Sequence, residues 1–128
     1  MERVNISTGS KWENIVGYSR AVKIGNIIEI SGTVATDGSG EIVGKNDVYI
    51  QTKFIMLKVE KVLEQLGAKL GDVVRTRIFT TDITKWEVIG KAHGEFFSEI
   101  MPVTTMVEVS ALINKEYLVE IEFSAVIS

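Results

Sequence analysis

Among the residues of this chain that could do chemistry, Glu120 is the best placed. Leu118 to Ile127 alternates strictly, so that Val119, Ile121, Phe123, Ala125 and Ile127 face one way and Glu120, Glu122 and Ser124 the other. A carboxylate on a strand face beside an apolar rim can act as a general base, or can orient a water or an ammonium group. Glu122 shares the face but would sit roughly 7 Å further along the strand, outside a pocket centred on Glu120. Val103 to Leu112 alternates too, with Thr104, Met106, Glu108 and Ser110 opposite Thr105, Val107, Val109 and Ala111. Set on the same mixed face as Glu120, Glu108 would join it there, with Thr104 and Met106 as further lining. Three carboxylates beside Met106 and Leu118 suit a cleft or a subunit interface. A solvated strand face with incidental apolar residues is the competing reading.

Cationic partners for an anionic ligand are few. Arg20 follows Tyr18 by two residues, which on a strand puts both on one face. Arg75 and Arg77 share a face of another strand, where an exposed ion pair is the simpler expectation. His93 is the only histidine and lies on an apolar helix stripe, where a hydrogen-bonded core residue is more common than a catalyst. No second histidine and no cysteine exist to complete a metal site, and no serine–histidine–acid arrangement is recognisable. Thr36-Asp37-Gly38-Ser39-Gly40 is a turn cluster with no helix start and no Gly-Lys-Ser/Thr after it, so it is not a phosphate cradle.

Composition narrows the classes. A chain of 128 residues is one domain, 1–128, with enough length for a core. Hydrophobic residues make up 45%, high for so small a domain, and surplus apolar surface of that kind usually enters an oligomer interface. The net charge of −3 argues against a nucleic-acid partner, and the absence of cysteine removes disulfides and thiol chemistry. No apolar run approaches the roughly 18 residues of a membrane span. With Met-Glu-Arg-Val-Asn at the start in place of a charged-then-apolar leader, the expectation is a cytoplasmic protein with no membrane partner.

These residues need elements to hold them. Arg3–Ile6 reads as a short strand, Ser7-Thr8-Gly9-Ser10 as a loop, and Trp12 as cover for a core edge. Tyr18–Lys23 and Ile27–Val34 read as strands about a Gly25-Asn26 hairpin turn. Asn46 or Asp47 can cap a helix from Val48 to Leu66, with Gly67 at its C-terminal stop. Asp72–Thr81 is strand-like. Thr84-x-x-Glu87 has the form of a capping box opening a second helix, with Trp86, Ile89, His93, Phe97 and Ile100 inward. Two helices on one face of a largely antiparallel six-stranded sheet is the economical solution.

The segment PVTTMVEVSAL followed by LVEIE closely resembles the C-terminal signature of the RidA/YjgF family. Val16-Gly17-Tyr18-Ser19-Arg20, Ile30-Ser31-Gly32, Gly67-Ala68-Lys69-Leu70-Gly71-Asp72-Val73-Val74 and Glu95-Phe96-Phe97 match in the same order. The resemblance implies a chorismate-mutase-like α+β fold and homotrimers with clefts between subunits, acting on a small metabolite without a cofactor. It implies Glu120 as the catalytic carboxylate, Tyr18 and Ser31 as cleft residues, and hydrolysis of an imine-like bond. Backbone amides at the start of the Val103 strand could hold the developing charge. Where the family's deaminases carry an arginine, this chain has Thr104, and Gly90 stands where they carry an asparagine on the second helix. Threonine has one hydroxyl and no charge, so it cannot replace a bidentate carboxylate clamp. The expectation is imine-type hydrolysis without the usual 2-aminoacrylate deamination; the alternative is a trimer that binds a small ligand without turnover.

Overall fold

The computed structural model describes all 128 residues. One six-stranded sheet runs through the chain in the order β1-β2-β3-β6-β4-β5. The strands are β1 (Arg3–Ile6), β2 (Ala21–Ile24), β3 (Ile27–Thr33), β4 (Val73–Thr80), β5 (Val103–Glu108) and β6 (Val119–Val126). All neighbours pair antiparallel except β4 and β5, which run parallel with α3 (Trp86–Phe97) as the crossover.

The other long helix, α2 (Val48–Gln65), packs beside α3 and over β6 and β3. Asp47 caps it by accepting from the Ile50 amide, and Lys23 donates to the Leu66 carbonyl at its other end. Gly67 follows at φ +76°, a conformation that favours glycine. Ile55, Met56, Val59 and Leu63 of α2 meet Ile28, Ile78, Ile121 and Phe123 of the sheet, all of them buried. Each such side chain contributes about 1.5–3 kcal/mol of burial.

The opposite sheet face has no long helix over it. Ile24, Ile27, Val103, Val107 and Val126 are exposed there. Only α1 (Lys11–Val16) stands beside it, an element without a period long enough to read from the sequence.

Several sequence expectations are corrected. The last two strands are shorter than 103–112 and 118–127, because the chain leaves the sheet after Glu108. The loop that follows is tied to α2 by the buried Gln51, whose amide donates to the Glu116 carbonyl and accepts from the Leu118 amide. Those two strands are also not neighbours: β4 lies between them. Ile78 pairs with Met106 on one side and Ile121 on the other, and Phe79 pairs with Val107 and Glu120. Thr104, Met106 and Glu108 therefore face the helices, and Glu120 and Glu122 face the open side. Alternation fixes each strand's two faces but not which face of one strand matches which of another. Asp82 accepts from the Thr84 amide and opens a 3₁₀ turn over Ile83–Lys85 ahead of α3, so Thr84 is not the cap. Trp12 and Trp86 are both exposed.

Candidate functional site

Glu120 lies near the β3 end of the open face, where the pairing of β3 with β6 slips between Ile30 and Thr33. The slip coincides with Ser31-Gly32, and Gly32 lies directly against the Glu120 side chain. A methyl group at position 32 would stand 2.9 Å from Glu120 Cδ and overlap Oε2, so only glycine leaves the carboxylate where it is. Burial pushes the Glu120 pKa up; the Arg20 charge opposes the shift and Glu122 adds to it. No hydrogen bond contributes. The result is a half-buried carboxylate with a raised proton affinity and unspent acceptor capacity.

Arg20 is held from below. Its Nη1 donates to the Gly32 carbonyl at 3.1 Å and to Thr33 Oγ1 at 3.1 Å. Tyr18 is not in a strand. It follows Gly17, which ends α1 at φ +87°, and the Gly17 and Tyr18 amides both donate to the Glu13 carbonyl. Glu13 anchors this corner: its buried carboxylate accepts from Ser7 at 2.8 Å and from the Thr8 amide at 3.2 Å. Burial pushes its pKa up, but the Thr8 and Ser7 hydrogen bonds outweigh that and hold it below the usual range. So placed, the Tyr18 ring has the Arg20 guanidinium 5.9 Å from its centroid, at the edge of cation–π range.

Ser31 turns inward, its hydroxyl directed at the Ser19 carbonyl (2.9 Å) and the Arg20 carbonyl (3.0 Å). With its single proton engaged there, it fastens the Tyr18–Arg20 segment to β3. Arg77 pairs with Glu122 at 3.4 Å across β4 and β6, both exposed, as the simpler expectation for it holds. Lys58 was not singled out from the sequence, lying one position off the α2 stripe. Its Nζ donates to the Val34 carbonyl at 2.8 Å and to Thr36 Oγ1 at 3.2 Å. Burial, with Arg20 adding, lowers its pKa to about 8. Arg20 thus lies between the two groups, close enough for its charge to act on both Glu120 and Lys58.

The structure brings Glu120, Arg20, Tyr18 and Ser31 to this corner; it does not bring Thr104, Met106 or Glu108. Glu108 accepts from the Ile83 amide at 3.0 Å. Thr104 lies on the sheet-edge strand β5 and bonds to Thr76. A hollow of about 700 Å³ forms an open trough under α1, lined in part by Asn5, Glu13, Tyr18, Ser31 and Glu122. It lies beside Glu120 and does not enclose it.

The model of the endoribonuclease L-PSP family matches residues 8–127. The chain is a member of the RidA/YjgF family. A crystal structure of a YjgF/YER057c/UK114 family member from Mycobacterium tuberculosis superposes with a TM-score of 0.89 at 44% identity, covering 98% of this chain and 100% of that one. The 2-iminobutanoate/2-iminopropanoate deaminase of Escherichia coli K12 is 32% identical over 113 residues, 85% of this chain and 86% of its own. A RutC family protein of Pyrococcus abyssi is 38% identical over 106 residues, covering 82% of both. The fold is accordingly the RidA/YjgF α+β fold expected from the sequence. No helix is long and apolar enough to cross a membrane.

Proposed function

We propose that this RidA/YjgF protein hydrolyses a carbon–nitrogen double bond in a small anionic metabolite, with Glu120 as the general base. The observation that carries the reading is the Glu120 carboxylate seated on Gly32, half-buried, with no hydrogen bond raising or lowering its pKa and with Arg20 beside it. Glu120 takes a proton from water as the water oxygen adds to the imine carbon, passes that proton to the nitrogen, and on collapse relays the carbinolamine hydroxyl proton to the departing nitrogen, so that it ends as the carboxylate it began as. The carbinolamine then collapses: the C–N bond breaks, ammonia leaves and a carbonyl forms. One water enters and one ammonia departs, with no cofactor. The E. coli relative named for 2-imino acids supports this substrate class.

The missing clamp defines the specificity. With Thr104 in place of an arginine, the substrate carboxylate turns toward Arg20, backed by the positive charge of Lys58. Without that clamp, 2-aminoacrylate-type imines, 2-iminobutanoate among them, should turn over about 30- to 4,000-fold more slowly than in an arginine-bearing relative, the loss of about 2–5 kcal/mol expected for a buried bidentate charged contact. Because Thr104 and Met106 lie on the opposite sheet face from Glu120, one chain cannot supply both walls of a pocket. A homotrimer, in which the β5 edge of one copy closes the Glu120 corner of the next, unites them and covers the exposed open face.

Ammonia release from 2-iminobutanoate generated in solution tests the reaction. Release faster than the uncatalysed rate supports it. No acceleration, with calorimetry still showing binding of 2-oxobutanoate, means a ligand-binding trimer without turnover. Retention of RNA with a steep salt dependence would favour instead the activity after which the matching family model is named.

A further inference from the structure

On the helix side of the sheet, three groups form a hydrogen-bonded row that the Glu120 chemistry does not use. His93 Nε2 on α3 lies 2.9 Å from Thr76 Oγ1 on β4, and Thr76 Oγ1 lies 2.8 Å from Thr104 Oγ1 on β5. Thr76 is completely buried, the His93 ring packs against Phe97 with centroids 4.7 Å apart and planes tilted by 40°, and Thr104 is exposed at the sheet edge. The one further contact, from Thr104 Oγ1 to the Pro102 carbonyl, is 3.5 Å, too long for a good O–H···O bond.

Counting protons decides what such a row can do. Two short links join three groups, and the two hydroxyls bring two protons. If Nε2 is bare, Thr76 donates to it and Thr104 donates to Thr76. Both protons then point inward, and Thr104 offers only lone pairs to the outside. If Nε2 carries a proton, every link reverses. His93 donates to Thr76, Thr76 donates to Thr104, and the Thr104 proton is left facing outward with only the slack Pro102 contact. A buried hydroxyl with one donor proton and two lone pairs permits both arrangements.

We propose that Thr104 contacts the ligand and that His93, acting through Thr76 as a positioning residue, sets whether Thr104 offers a donor or an acceptor. With Nε2–H, Thr104 donates to a carboxylate or carbonyl oxygen. The choice of an oxygen acceptor rests on the proposed imino-acid chemistry; the relay itself does not. By linkage, an acceptor bound at Thr104 holds the proton on Nε2 as strongly as that proton favours the acceptor.

The charged groups on the elements around His93 are engaged or turned away. Arg75 and Arg77 of β4 lie on the other sheet face, and Glu108 of β5 binds the Ile83 amide. On α2 and α3, Tyr49 and Lys53 pair with Glu95, and Lys91 lies 5.8 Å from the Tyr49 ring. Burial alone lowers the His93 pKa, so the ring is neutral at pH 7 and the question is one of tautomer.

His93 is the only histidine, so its ring nitrogens give one unambiguous set of NMR signals in the intact protein. Thr104→Val removes the Thr76–Thr104 bond from both arrangements, but only the Nε2–H one is left with a buried donor unsatisfied, because in the bare-Nε2 arrangement Thr76 still donates to His93. It should shift the tautomer ratio toward Nδ1–H by about two- to tenfold, the worth of one net hydrogen bond. In a Thr76→Val background the same change should do nothing, whereas Thr76→Ser should keep the coupling. Position 104 is exposed, so Thr104→Val tests the relay even if Thr76→Val does not fold. An unchanged ratio in Thr104→Val overturns it. Saturation of the wild type with 2-oxobutanoate, which presents only acceptor oxygens, should move His93 toward Nε2–H. Binding by calorimetry with no change of tautomer overturns the contact at Thr104. If 2-oxobutanoate does not bind, the anionic-ligand reading fails, and Thr104→Val in the free protein still decides the relay.

Discussion

Gly32→Ala separates the position of Glu120 from its chemistry. A methyl at residue 32 would stand 3.1 Å from Glu120 Cγ and 2.9 Å from Cδ, and would overlap Oε2. The backbone tolerates alanine, since Gly32 is not among the glycines at positive φ. What must yield is the far end of one flexible, half-buried side chain. Turning it off its rotamer costs about 0.5–1.5 kcal/mol, and swinging it into solvent recovers hydration. At roughly 1 kcal/mol the melting temperature should fall by no more than about 6 °C for a chain of this size. The carboxylate, however, would move by more than 1 Å, and displacement of that order costs about a hundredfold in rate. The expected outcome is kcat/KM for 2-iminobutanoate down about 100-fold in a variant that still melts cooperatively. Wild-type kcat/KM with an unchanged melting temperature would refute the placement of the working carboxylate on Gly32.

Further outcomes follow from the same corner. Arg20→Ala should weaken 2-oxobutanoate by about 2 kcal/mol or more while leaving its methyl ester unchanged; calorimetry showing equal loss for both would make Arg20 a structural residue. Glu120→Gln should stabilise the fold in a pH-dependent way. Folding raises the Glu120 pKa, so ionisation destabilises the native state; the penalty is absent below the ordinary carboxylate range, grows as pH rises through the raised pKa and persists above it. The variant should therefore melt with the wild type near about pH 4 and above it at about pH 7, and the reverse order would contradict the sign of the shift. Sedimentation should give three times the 14.2 kDa chain mass; a monomer at micromolar concentration would remove the second wall of the pocket.

Much of the fold was legible because it is written in local periods. The alternation of β6, the α2 stripe ended by Gly67 and the Gly25-Asn26 turn all lie where their residue types put them. The phase between strands was not legible. Val103–Glu108 and Val119–Val126 follow each other in the chain, yet β4 lies between them, so the face shared by Glu120 and Met106 dissolves. Nor was α1, six residues long and held by the buried Glu13 carboxylate rather than by an apolar stripe. At the candidate site, Glu120 was legible from its strand position, whereas Tyr18 and Arg20, read as one strand face, lie ahead of β2 in the turn that follows α1. The Gly32 notch and the His93–Thr76–Thr104 row depend on contacts between residues far apart in sequence, which no spacing encodes.

The pH dependence of kcat/KM for 2-iminobutanoate, measured for the wild type and Glu120→Gln, tests the central claim most directly. The wild type should show a rising limb above the ordinary glutamate range, because burial raises the pKa of the base. Glu120→Gln should lose that limb together with about 10²–10⁴ of the rate, the usual contribution of a general base. A variant that keeps both the limb and the rate would show that another group takes the proton from water.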